Sequence, residues 1–154
     1  MILSLAPMVR CVRERRCRMA EYQKDKKEVQ EFLSHAKDII LKGNVQINNM
    51  PWKGKVNKTL TYMSETGITQ RDMEKVVCEL QTANYSYTAD DNNQKFKNEQ
   101  FWIFGITKNM VDKDERLYVK LKIKMIKGEI LLIMSFHPEE PEYKNGKLEF
   151  PYKV

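Results

Sequence analysis

The chain has 154 residues, 42% of them hydrophobic and 31% charged, enough for one domain with a substantial core. No apolar run approaches the roughly 20 residues that a membrane-spanning helix needs, which excludes that class. The net charge of +6 suggests a nucleic-acid partner, but residues 1–18 hold five of the seven arginines and one acid, so 5 − 1 = +4 lies there and only +2 in the rest.

That basic segment, MILSLAPMVRCVRERRCR, carries its charges after a short apolar stretch, the reverse of a signal peptide. It reads as a disordered arm, an extra helix, or an extension ahead of a true start at Met19; the ordinary sequence from Met19-Ala20 favours the last. The expected organisation is a basic N-terminal extension over residues 1–19, disordered or preceding the true start, and a single domain over residues 20–154. Cys11, Cys17 and Cys78 are odd in number, lack metal-ligand spacing and point to a reducing cytoplasm.

Lys24 to Lys42 predicts an amphipathic helix with Val29, Phe32, Leu33, Ala36 and Ile40 on its buried face and Gly43 as its stop. His35, at the edge of that stripe, reads as a partly exposed helix histidine. Val45 to Asn48 suits a short edge strand, and residues 50–54 a loop. Leu60 and Met63 suggest a short helix ending at Gly67. Thr69 then caps another, with Asp72 as its capping-box partner and Met73, Val76, Val77 and Leu80 buried. Asn84 to Asn98 is polar and reads as a loop. Gln100 to Ile106 predicts a strand in which Gly105 marks a bulge or a close backbone approach. Asn109 to Asp114 reads as a loop, and Phe150-Pro151-Tyr152 as a short edge element. Helices first and an antiparallel sheet after them make an α+β domain, the helices covering one sheet face.

The strongest pattern is a hairpin from Arg116 to His137. Leu117, Val119, Leu121, Ile123 and Met125 alternate with Tyr118, Lys120, Lys122 and Lys124, the period of a half-buried strand. A two-residue turn at Lys127-Gly128 would make partner numbers sum to 255. The apolar face then pairs Met125 with Ile130, Ile123 with Leu132, Leu121 with Met134 and Val119 with Phe136. On the other face Lys120 meets Ser135 and Tyr118 meets His137.

There is no P-loop, dinucleotide fingerprint, zinc-protease motif or paired Cys-x-x-Cys, and no metal or cofactor is expected. The composite of Tyr118, Lys120, Lys122, Ser135 and His137 suits metal-free phosphodiester chemistry on RNA. His137 has the side chain for acid or base work near neutrality. Lys120 or Lys122 would supply the cation for the phosphate. Tyr118 would orient the phosphate or shuttle a proton, and Tyr85, Tyr87 or Trp102 would stack an unpaired base. The plain alternative is a solvated lysine/tyrosine face that keeps a sheet soluble, and Trp102 reads as core or interface more readily than as a stacking platform.

The succession Leu60…Glu65-Thr66-Gly67-Ile68-Thr69-Gln70-Arg71-Asp72…Leu80…Tyr85, Trp102-Ile103-Phe104-Gly105, Leu117-Tyr118-Val119-Lys120-Leu121 and Ser135-Phe136-His137-Pro138 resembles the MqsR family of toxins. It is most similar to a Gram-positive branch with a Ser-Phe-His tail and a closing Pro-aromatic pair, here Phe150-Pro151-Tyr152, and it covers roughly residues 24–152. The resemblance implies a RelE-like toxin fold and a ribosome-independent mRNA endoribonuclease of a type II toxin–antitoxin system. It implies single-stranded mRNA and a cognate antitoxin as partners, a cytoplasmic location, and no direct DNA binding without the antitoxin. Tyr118 matches the family's sheet tyrosine and Lys120 its neighbouring lysine, while His137 stands where the better-known branch has a lysine. That branch's other lysine and its glutamine fall at Tyr87 and Ile103. The implied site is therefore His137, Tyr118 and Lys120 as catalytic residues, with Lys122, Tyr85, Tyr87 and Ser135 contacting RNA. The alternative is a non-catalytic RNA- or protein-binding module on the same fold.

Overall fold

A computed structural model describes residues 21–50, 55–91, 99–140 and 148–153 of the protein. The expectation for residues 1–19 and most of the 50–54 loop lie outside the described residues. Helix α1 (Lys26–Leu41) starts at a capping box: the Asp25 carboxylate accepts from Glu28 N–H at 2.8 Å, and the Glu28 carboxylate from Asp25 N–H at 3.3 Å. It buries Val29, Phe32, Leu33, Ala36 and Ile39. Ile39, rather than the expected Ile40, ends the deep stripe, since i+3 and i+4 from Ala36 share one face; Ile40 packs at its margin.

Helix α2 (Lys58–Thr66) is capped by Asn57, which accepts from Leu60 N–H at 3.0 Å, and ends at Gly67 in the left-handed region. Its buried side chains are Thr59 and Tyr62, and Leu60 faces out. Helix α3 (Gln70–Glu79) has the expected Thr69–Asp72 capping box and buries Met73, Val76 and Val77 ahead of Leu80. Among the described residues, no helix is long and apolar enough to cross a membrane.

Six strands among the described residues form one sheet: β1 (Glu21–Tyr22), β2 (Val45–Ile47), β3 (Tyr85–Asp90), β4 (Gln100–Met110), β5 (Lys113–Met125) and β6 (Glu129–Pro138), in the order β1-β3-β4-β5-β6-β2. The domain is α+β, but helices do not simply precede a sheet. Both sheet edges come from the N-terminal half: β1 pairs antiparallel with β3, and β2 pairs parallel with β6. The expected loop over 84–98 contains β3, which buries Tyr85 and Thr88 as well as Ser86 and Ala89. A strand buried on both faces by small and hydroxyl residues carries no apolar alternation, which explains the misreading. The expected 109–114 loop shrinks to Val111-Asp112, both at positive φ (53° and 65°), the geometry of a tight two-residue hairpin turn.

One face of the sheet carries the helices. There Phe32 stacks on Trp102 with ring centroids 4.2 Å apart, and Tyr85 meets Phe104 edge-on at 5.7 Å. Trp102 is thus half-buried and packed against the core. On the other face, an added Cβ at Gly105 would fall 2.8 Å from Phe150 and 3.0 Å from Leu148. Gly105 therefore permits a close approach, and residues 148–153 lie against the sheet as a turn rather than as an edge strand.

Candidate functional site

The β5–β6 hairpin has two departures from its expected register, and they cancel. The connection is Ile126-Lys127-Gly128, with Lys127 and Gly128 at positive φ, so Met125 pairs with Glu129 and partner sums fall by one. Leu121 then pairs with Ile133, Ile123 with Leu131, and Lys124 with Ile130. A bulge at Met134 absorbs the offset. Beyond it Lys120 pairs with Ser135, Val119 with Phe136 and Tyr118 with His137, as expected.

The slip changes which side chains of β6 enter the core. Leu131 and Ile133 are buried beneath the helices in place of the expected Ile130, Leu132 and Met134, while Phe136, beyond the bulge, is buried as expected. A one-residue shift turns every side chain to the other face, and the run Ile-Leu-Leu-Ile-Met is apolar in either register.

On the opposite face the Tyr118 and His137 rings stack, with centroids 5.4 Å apart and planes inclined by 20°. His137 Nδ1 lies 2.9 Å from the Pro138 carbonyl oxygen. A carbonyl only accepts, so Nδ1 carries the proton and Nε2 keeps its lone pair. Burial pushes the His137 pKa below its ordinary value; the bond to Pro138 opposes this, Lys58 adds to it, Glu140 opposes it, and Lys120 adds to it. Burial therefore favours the neutral imidazole, whose basic nitrogen is Nε2. Lys120 Nζ lies 4.4 Å from the centroid of the Phe101 ring, and Ser135 stands half-buried across from it.

Sequence reasoning missed the neighbours supplied by α2. Strand β2 pairs with β6 through Leu131–Ile133, and Asn48 N–H donates to Ile133 O at 2.9 Å. Past the bulge, the Phe136 N–H donates instead to Thr59 Oγ1 at 2.8 Å. That bond fixes the first turn of α2 against the strand that carries His137. Lys58, one residue before Thr59, forms an ion pair with Glu140, three residues after His137. The available signal was Asn57, a helix-capping residue directly ahead of Lys58-Thr59.

Two of the expected RNA contacts are corrected. Tyr85 is fully buried, with its hydroxyl 2.7 Å from Thr88 Oγ1 and accepting from Lys24 N–H at 2.9 Å, so its ring is core and not a base platform. Lys122 is 2% exposed, and its ammonium meets Asp91 at 2.5 Å and Glu99 at 2.7 Å. It ties the two ends of the β3–β4 connection to the sheet and does not present a cation to solvent. Tyr87 pairs with Ile103, in the row that continues through Lys120 to Ser135. Two strand spacings, about 10 Å, separate it from Lys120.

Arg116 Nη2 meets the Glu139 carboxylate at 3.3 Å, in the row beside Tyr118 and His137. Among the described residues, no group of three or more His, Cys, Asp or Glu side chains is arranged to hold a metal ion. No family model matches the chain, and no curated protein sequence matches it.

Proposed function

We propose that the chain is the toxin of a type II toxin–antitoxin pair, an MqsR-family endoribonuclease with a RelE-like arrangement that cleaves single-stranded mRNA without a metal. The observation that carries the reading is the stacked Tyr118–His137 pair, in which the bond from Nδ1 to Pro138 leaves Nε2 as a neutral base. His137 Nε2 takes the 2′-hydroxyl proton, and the 2′ oxygen attacks phosphorus. The bond from phosphorus to the 5′ oxygen breaks, and Tyr118 returns a proton to that oxygen. The products are a 2′,3′-cyclic phosphate and a 5′-hydroxyl. Lys120 stabilises charge on the phosphate, Ser135 lines the same row, and Tyr87 stacks an unpaired base. The antitoxin partner and cytoplasmic setting belong to the same reading.

A second reading, a non-catalytic RNA- or protein-binding module, draws support from Lys122, whose burial removes one cation from the face. Expression and RNA cleavage separate the two. The toxin reading expects growth arrest on expression, cleavage of single-stranded RNA in EDTA, and loss of both in His137→Ala. Normal cleavage by His137→Ala would sink it; RNA binding without any cleaved product would establish the second reading.

A further inference from the structure

We propose that Lys58 and Lys120, both near His137, form a binding site for a phosphodiester anion, and that the Glu140 carboxylate occupies Lys58 until a polynucleotide phosphate displaces it. The inference deepens the reading of this face as an RNA site and rests on it.

Three observations put each of the two lysines near His137, the Lys120 ammonium lying over the Phe101 ring. The Thr59–Phe136 bond joins the residue after Lys58 to the residue before His137. The register puts Lys120 across from Ser135, two residues before His137. Lys58 and Lys120 both act on the His137 imidazole with the sign of a nearby cation, and Glu140 with the sign of a nearby anion. Tyr118 packs on the ring, and among the described residues the charged groups that act on His137 are Lys120 from β5, Lys58 from α2 and Glu140 just past β6.

The Lys58–Glu140 pair has the character of a place-holder. Its side chains are 54% and 35% exposed, so water and salt screen their attraction, and such pairs are readily exchanged. A phosphate oxygen carries the same charge as the carboxylate and offers lysine the same kind of acceptor. The contrast with Lys122 is direct: that lysine is buried between two acids and is committed to the fold. Lys58 is not needed to hold α2 in place, since Asn57 caps the helix and Thr59 anchors it.

The test uses a single-stranded deoxyoligonucleotide, which lacks the 2′-hydroxyl and so binds without being cleaved. Fluorescence anisotropy over a salt series reads both affinity and the number of phosphate contacts. Lys58→Gln is expected to weaken binding and to lower the slope of log affinity against log salt by about 0.7, one contact on a single strand. Glu140→Gln is expected to tighten binding about two- to fivefold by removing the competitor. The double variant should match Lys58→Gln alone, because Glu140 acts through Lys58. Weaker binding in both single variants, unchanged binding and slope in both, or no binding by the wild-type protein at low salt overturns the proposal. A second readout is the His137 imidazole titration followed by NMR. Lys58→Gln should raise its midpoint and Glu140→Gln should lower it; no movement in either variant also overturns the proposal. The expected deoxyoligonucleotide results together with failure to cleave the matching RNA would leave the anion site standing and remove the nuclease reading.

Discussion

Thr59→Val isolates the bond on which the geometry around His137 depends. Valine has almost the volume and the branching of threonine, so the substitution opens no cavity. It removes only the acceptor for the Phe136 N–H, 2.8 Å away. Thr59 is 2% exposed and Phe136 fully buried, so water does not replace the lost oxygen. An unsatisfied buried N–H costs about 1–3 kcal/mol. At a shift of roughly 2–4 °C per kcal/mol for a chain of this size, a loss of about 2 kcal/mol lowers Tm by about 4–8 °C. Thr59→Ser keeps the oxygen and loses one methyl group, a cost of about 0.8 kcal/mol. Urea unfolding gives the free energies, and hydrogen exchange at the Phe136 amide reports the bond itself. Wild-type stability with a protected Phe136 amide in Thr59→Val, or equal damage from Thr59→Ser, refutes the anchoring of α2.

Further expectations concern other parts of the fold. Burial lowers the folded-state pKa of His137, so on acidification the unfolded chain takes the extra proton first. Its contribution to stability is present above the unfolded value near 6.5 and is lost as pH falls through the lower folded value. Urea midpoints between about pH 5 and 7.5 should decline more steeply for the wild type than for His137→Gln, and equal slopes contradict this. Lys122→Met leaves Asp91 and Glu99 facing each other without their cation and should cost about 3 kcal/mol; adding Asp91→Asn and Glu99→Gln should restore most of it. A loss below about 1 kcal/mol in the single variant would show that the pair is not needed. Gly105→Ala drives a Cβ into Phe150 and Leu148 and should cost about 1–3 kcal/mol while loosening the C-terminal residues to proteolysis, whereas unchanged stability and digestion would mean the contact yields freely.

What was legible in the sequence is what local chemistry determines. Thr69 with Asp72, and Gly67 after Thr66, state helix ends in a few letters, and Val29, Phe32 and Leu33 state a buried face. The Tyr118–His137 pairing was also legible, although by compensation: the three-residue connection and the bulge at Met134 are each invisible in a run that is apolar in both registers. Strand β3 was hidden because its buried Ser86, Thr88 and Ala89 are small or carry a hydroxyl. Strands β1 and β2 are two and three residues long, too short for a period to declare itself. The lysines of β5 show the limit most plainly. Lys120 and Lys122 share a face, a spacing and the Phe101 ring, yet one is half-buried while the other is enclosed by Asp91 and Glu99. That difference depends on where the β3–β4 connection folds back, a long-range fact that no local pattern records. Lys58 entered the site for the same kind of reason, through a bond between residues 77 positions apart.

The most direct measurement compares one long single-stranded RNA with its all-2′-deoxy counterpart, each incubated with purified protein in EDTA, with the ends of every fragment identified. The account predicts that the RNA alone is cut, that fragments end in 2′,3′-cyclic phosphate and begin with 5′-hydroxyl, and that His137→Ala leaves the RNA intact. An uncut RNA at equimolar wild-type protein, cleavage of the deoxy strand, or undiminished cutting by His137→Ala contradicts it.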